Sequence, residues 1–315
     1  MNLDTNTITV TKLKEHVLHA LLYFDIFNYP LKADEVFRFL GTDRVDENLV
    51  RKDLDELTAE GLIYRFDNLY SIQNDSALIR RRIMGNLMAE DCMELARSQA
   101  KRIANFPFVR AVMASGSLSK GYMDEKSDLD FFIVTEPGKL WIARTLLVMY
   151  KRIFLFNSHK FFCVNYFVDH DHLKIEEENL FTATELATVI PLYNWNAYVK
   201  LHVQNQRWLK RFFPNFRLRG DETVVKDRTL RFKNTLEKIL GIMSKPLEYI
   251  FRKLTFNRWK RIYAGKYDDA DFNVAFKSKA YASKNHPQHF QKKVLDLYYG
   301  KLAEFANKNG IVWHS

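Results

Sequence analysis

The feature that most constrains this chain is the segment Val109–Val134, VRAVMASGSLSKGYMDEKSDLDFFIV. An apolar run leads into Gly116-Ser117, a polar loop follows, and Asp128-Leu129-Asp130 opens a second apolar run. Short apolar runs bounded by turn residues read as strands, here Val109–Ala114 and Leu129–Val134, with the loop Ser115–Ser127 between them. Side chains on a strand alternate faces, so Asp128 and Asp130 share one face and Leu129 takes the other. Two carboxylates on one face repel unless a cation lies between them, which is the requirement of a Mg²⁺ site. Gly116 lets the backbone approach a phosphate, and the Ser117 hydroxyl and neighbouring amides can donate hydrogen bonds to it. Lys120 and Lys126 lie in the same loop, and Lys120 is the expected phosphate contact.

Ten residues separate Gly116-Ser117 from Asp128-Leu129-Asp130. In this the segment resembles the DNA polymerase β-type nucleotidyltransferase superfamily, whose signature is Gly-Ser followed some ten residues later by Asp-x-Asp. The likeness is to the small bacterial members and covers only the core of the chain. It implies a small mixed-sheet core with flanking helices that moves a nucleoside monophosphate from an NTP donor, ATP by expectation, to an acceptor. Two Mg²⁺ ions held by Asp128 and Asp130 are the implied cofactors. Gly116, Ser117, Ser119 and Lys120 are the implied phosphate-binding residues. The acceptor is open between protein, RNA and small molecule, because the fold serves all of them.

The family places a third acid in the middle of a third strand. Here that strand is Phe161–Val168, and in FFCVNYFVD the in-phase positions are Phe161, Cys163, Asn165, Phe167 and Asp169. Asn165 stands where the acid is expected, and an amide cannot serve as a general base. Asp169 has the right parity but lies roughly 13 Å further along by strand rise. Asn165 and Asp169 are therefore both carried as candidate catalytic positions. Two readings stay open: a transferase served by Asp169 or by an acid from elsewhere, or a nucleotide-binding regulatory or interaction protein with weak or absent transfer.

Residues 1–75 read as three helices and a hairpin. Leu13, Val17, Leu21 and Phe24 form one helical stripe, Ala33–Leu40 a short helix, and Val50, Leu54 and Leu57 the face of a third that ends at Gly61. Leu62–Phe66 and Leu69–Ile72 are strands around an Asp67-Asn68 turn. This order resembles a winged-helix domain. Its third helix opposes Arg51 and Lys52 with Asp46, Glu47, Asp53, Asp55, Glu56 and Glu60, so a phosphate backbone would repel it. DNA reading is thus not expected.

Residues 76–199 hold a long helical connector with a basic start (Arg80-Arg81-Arg82), the strands above, and a helix over Lys139–Phe154. From about Thr182 the pattern is helical, with breaks near Pro214, Gly220, Pro246, Gly265 and Pro287. The expected class is therefore α+β: a winged-helix-like domain (1–75), a nucleotidyltransferase-like core (76–199) and a basic helical C-terminal domain (200–315). Net charge over these spans is −6, +1 and +15. Only the last could attract an anionic partner, RNA or a membrane surface among them. Within it Leu236, Ile239, Leu240, Met243, Leu247, Ile250, Phe251 and Leu254 form a stripe flanked by basic residues. Packing on its own domain is the simpler reading of that stripe. Asp169-His170-Asp171-His172 reads as a polar turn leaving the sheet rather than a metal cluster. Two cysteines, Cys92 and Cys163, a polar start without a leader pattern, and the lack of a spanning apolar run lead to an expectation of a soluble, cytoplasmic protein.

Overall fold

A computed structural model describes residues 11–43, 45–156, 160–225, 231–263, 265–268, 272–273, 275–285 and 290–314. The predicted break at Pro287 lies outside the described residues. The fold is α+β, with a five-stranded mixed sheet and a separate two-stranded hairpin.

Helices α1 (Lys12–Asp25), α2 (Ala33–Arg38) and α3 (Glu47–Ala59) precede strands β1 (Tyr64–Phe66) and β2 (Leu69–Ser71). The Asp46 carboxylate caps α3 by accepting from the Leu49 amide at 2.9 Å. Phe66 pairs with Leu69 across a two-residue turn in which Asp67 has φ of 54°, a left-handed conformation that Asp tolerates. On α3, Arg51 pairs with Glu47 and Lys52 with Glu56, while Arg65 from β1 pairs with Asp55 and Lys14 from α1 with Glu56 and Glu60, so both cations of the helix are already engaged by its acids.

Helix α4 (Ala77–Ala104) leads into β3 (Val109–Ser115), the short helix α5 (Gly116–Ser119), β4 (Asp130–Thr135), α6 (Leu140–Phe154) and β5 (Cys163–Asp169). Then come α7 (Leu180–Thr188), β6 (Ile190–Tyr193), α8 (Trp195–Phe212), α9 (Arg231–Ile242), α10 (Ser244–Tyr263), β7 (Ala282–Lys284) and α11 (Phe290–Asn309). The sheet order is β6-β3-β4-β5-β7, with β4 and β5 parallel and the other neighbours antiparallel.

Strands β6 and β7 correct the expectation of a purely helical pattern from about Thr182. Both are edge strands of three or four residues, too short to impose a period of two, and Pro191 is tolerated because an edge strand can lose a ladder donor. A second correction concerns Pro246. It sits in the first turn of α10, where its missing N–H has no helical partner, and the break falls at Met243 instead.

The sheet separates two apolar layers. Ala111, Met113, Val134 and Val168 face α1–α3, α7, α8 and α11. Val112, Ala114, Phe131, Ile133 and Phe167 face α4, α6 and α10. Two of the three arginines that start α4 hold this helix to the first layer. Arg82 bonds the Pro30 carbonyl and pairs with Glu35, and Arg81 donates to Phe27 and Asn28 carbonyls.

Candidate active site

The site forms where β3 ends and β4 begins. These antiparallel strands set Ser115 opposite Asp130, so the chain leaving β3 passes directly under the first side chain of β4. Gly116 makes that passage possible. It has φ of 64°, and a Cβ there would lie 2.3 Å from Asp130 Oδ2. The glycine is needed twice over, for its backbone and for the space the carboxylate occupies.

Asp130 accepts a hydrogen bond from Asn165 Nδ2 at 3.0 Å, and the Cys163 thiol bonds the same carboxylate. Burial pushes the Asp130 carboxyl up to about 6; Asp128 and Glu185 push the same way, and Cys163 and Lys120 oppose them. Asp128 is half-buried and makes no hydrogen bond or ion pair with the described residues. The two acids are thus close enough to bear on each other, and among the described residues neither has an ion pair.

A β-bulge lies at Asn165, which alternation from Cys163 already places on the face of Asp130. Register along β4–β5 runs Phe131 to Val164 and then Phe132 to Tyr166, which leaves Asn165 as the extra residue. Val164 and Phe167 pack in one layer, while Tyr166 stacks on Phe132 at 5.0 Å in the other. Asn165 and Tyr166 thus both project to the face of Asp130. The bulge also breaks the parity predicted for the third strand. Past it, Val168 shares the Asp130 face and Asp169 points away.

Asp169 is not brought to the site. It pairs with Thr135 at the other end of β4, about 16 Å from Asp130 by strand rise. Its buried carboxylate accepts from the Asp171 and His172 amides at 3.1 and 3.0 Å and meets His172 Nδ1 at 2.6 Å. These bonds fold Asp169–His172 into a turn leaving the sheet, with His172 stacked on Tyr281 at 4.3 Å.

The phosphate-binding candidates separate in the same way. The Ser117 hydroxyl is half-exposed and makes no hydrogen bond with the described residues. Ser119 is buried, and its hydroxyl donates to the Gly116 carbonyl at 2.8 Å and contacts Thr188 Oγ1 at 3.2 Å. Its part is to tie the Gly-Ser turn to α7. Lys120 Nζ reaches the Gly116 carbonyl at 3.1 Å and Glu185 Oε1 at 2.7 Å, which places the ammonium over the turn.

Two residues at the site were not anticipated. Glu185, on α7, pairs with Lys120 and bears electrostatically on Asp130. It is an acid from elsewhere in the chain, carried in by the packing of α7, and nothing local in LFTATELAT marks it. Lys151, on α6, is buried, and the charges of Cys163, Asp128 and Asp130 bear on it from the opposite side. Burial holds its pKa below the usual lysine value.

Among the described residues, no set of three or more His, Cys, Asp or Glu converges as a metal cage. Mg²⁺ does not require one, since it commonly binds one or two carboxylates and completes its shell with water and substrate phosphate. Asp130, buried beside a like charge, is a donor of the kind such a cation would neutralise. Among the described residues no helix is long and apolar enough to cross a membrane.

No family model matches the chain, and neither a curated protein nor a solved structure does.

Proposed function

We propose that this chain is a Mg²⁺-dependent nucleotidyltransferase that moves a nucleoside monophosphate from an NTP to an acceptor. One observation carries the reading: Asp130 lies over Gly116, with the Asp128 charge bearing on it and, among the described residues, no ion pair to either acid. Asp128 and Asp130 would hold Mg²⁺, which when bound neutralises charge on the triphosphate and on the leaving pyrophosphate. Gly116 opens the backbone to the phosphates, Ser117 offers a hydroxyl with no hydrogen-bond partner among the described residues, and Lys120 adds a positive charge beside them. In this reading residues 76–199 are the nucleotidyltransferase core, residues 1–75 a winged-helix-like partner-contacting unit, and residues 200–315 a basic helical region. The acidic α3 argues against DNA as that partner. A cytoplasmic location belongs to the same proposal.

The test is transfer of label from α-labelled ATP, GTP, CTP or UTP in cell extract with Mg²⁺ or Mn²⁺. Labelled acceptor is expected with wild type and not with Asp128→Ala or Asp130→Ala. No labelling by a folded sample, together with unchanged nucleotide binding in both variants, overturns the proposal.

Asn165 favours a second reading, a nucleotide-binding regulatory protein. Its amide already engages Asp130 where a third acid would stand, and it cannot take a proton from an acceptor. Asn165→Asp discriminates: a gain of transfer from none marks a binding protein, and a change in existing transfer marks an enzyme served by Glu185 or another base.

A further inference from the structure

Residues 231–263, which form α9 and α10, carry nine Lys or Arg and two acids. Both acids turn inward. Glu237 receives Arg110 and the Phe108 amide, and Glu248 accepts from the Trp141 and Ile142 amides at the start of α6 at 3.1 and 2.7 Å. The outer surface of the two helices is left with cations alone.

The apolar stripe of this segment divides. Leu240, Leu247 and Phe251 pack on the core, so self-packing accounts for that half. Ile239, Met243, Ile250 and Leu254 are 59%, 59%, 46% and 62% exposed, and Ile242 at the bend is 87% exposed. Helical spacing sets Ile250, Leu254 and Arg258 in one row. A row that is both apolar and basic, on a helix whose other side already meets the core, has no intramolecular use.

Beside this row α10 packs on α6, and three arginines gather there. Arg144 is buried, with its guanidinium carbon 4.8 Å from the Trp259 ring centroid and 5.5 Å from that of Trp141. Arg152 and Arg258 bear on it as like charges, and Arg258 bears on Arg152. Among the described residues none of the three has a carboxylate in ion-pair contact. Clustered guanidinium groups without a counter-ion form a site for phosphate oxygens.

We propose that the α9–α10 face docks on an anionic phospholipid bilayer, with Arg152 and Arg258 taking a headgroup phosphate while Ile250 and Leu254 enter the acyl boundary. Aliphatic side chains favour lipid over nucleic acid. Single strands stack on exposed aromatics, whereas three of the four large apolar residues exposed on α10 (Ile250, Leu254 and Ile262, beside Tyr249) are aliphatic. The net charge of +15 over residues 200–315 supplies attraction to the anionic surface. This proposal stands apart from the nucleotidyltransferase reading and does not need it.

The experiment is co-sedimentation of the full chain with phosphatidylcholine vesicles, with and without phosphatidylglycerol. Binding to the anionic vesicles is expected to be at least about tenfold stronger and to weaken with salt. Arg152→Gln/Arg258→Gln should reduce it roughly 25-fold, at about fivefold per charge. Ile250→Ser/Leu254→Ser should reduce it by about tenfold or more. All four side chains are exposed, and circular dichroism verifies that each variant folds. Failure of wild type to bind anionic vesicles at low salt overturns the proposal, as does equal binding to neutral ones or wild-type binding by both variants. A mixed-sequence RNA oligonucleotide that displaces the vesicles, and loses affinity with the serine variant, assigns the face to nucleic acid instead.

Discussion

Strands β3 and β4 present two ends of one antiparallel pair, and their charges are handled in opposite ways. At the far end, Arg110 bonds Glu136 at 2.7 Å and Glu237 at 2.9 Å, and Asp169 is closed within its own turn. A polar concavity lined by Arg110, Glu136, Lys139 and Glu237 opens there, yet each of its acids already has a cation. At the near end, Asp130 stands over Gly116 with one amide and one thiol bonded to it, and Asp128 bears on it as a like charge. The same sheet therefore stores matched charge at one end and unmatched charge at the other. Matched groups hold the fold together; an unmatched, desolvated carboxylate opposes folding and persists where a ligand supplies what is missing.

The sharpest way to break this contrast is to put one methyl group at each end. Gly116→Ala drives a Cβ into Asp130 at a φ of 64°, whereas Gly138→Ala, at a φ of 65°, meets nothing within 4 Å. Gly138→Ala is expected to cost about 1 kcal/mol from backbone strain alone. Gly116→Ala is expected to cost about 3 kcal/mol or more and to abolish Mg²⁺-nucleotide binding, checked by urea unfolding and calorimetric titration.

Next is Asp130→Asn. The Asp130 carboxyl is raised from 3.8 to about 6 on folding, so the folded chain binds the extra proton between those values. Its contribution is favourable below pH 3.8 and is lost as pH rises through 6. The variant should therefore gain about 2 kcal/mol over wild type at pH 7, and the gain should vanish near pH 4. Thermal melts across that range measure it. Mg²⁺ should stabilise wild type above pH 6 and leave the variant unmoved.

At the matched end the sign reverses. Burial alone would raise the Glu237 carboxyl, but Arg110 and the Phe108 amide outweigh it and hold the group below its ordinary 4.5. Its stabilisation is present above pH 4.5 and is lost as pH falls through the lower folded value. Glu237→Gln should cost about 1–2 kcal/mol at pH 7 and leave nucleotide binding intact. The smallest effect is expected of Asp169→Asn. Loosening its turn should cost about 1 kcal/mol, with nucleotide affinity and any transfer rate unchanged, because the residue sits at the other end and on the other face. A tenfold loss of nucleotide affinity in that variant would erase the distinction between the two ends.

Much of the local architecture was legible in residue order. The apolar periods of α1 and α3, the Asp67-Asn68 turn and the strands on either side of Gly116-Ser117 lie where the pattern placed them, within a residue or two. Strands β6 and β7 were not legible, since Ile190–Tyr193 and Ala282–Lys284 are defined by the edges they complete and not by their own pattern. Ser119 looked like a second hydroxyl for phosphate and is instead a buried tie to Thr188, a distinction made by α7 packing across it.

What the amino-acid order determined by itself is the turn from β3 into β4: two apolar strands flank it, and its glycine stands where the Asp130 side chain crowds the backbone. What only the tertiary structure decided is the third corner. Alternation alone gives Asn165 to the face of Asp130, but a single bulge after it turns Asp169 away, and the packing of α7 brings Glu185 in from a remote helix. Alternation along a strand is a local rule that one extra residue reverses, and a contact between distant elements has no local rule at all.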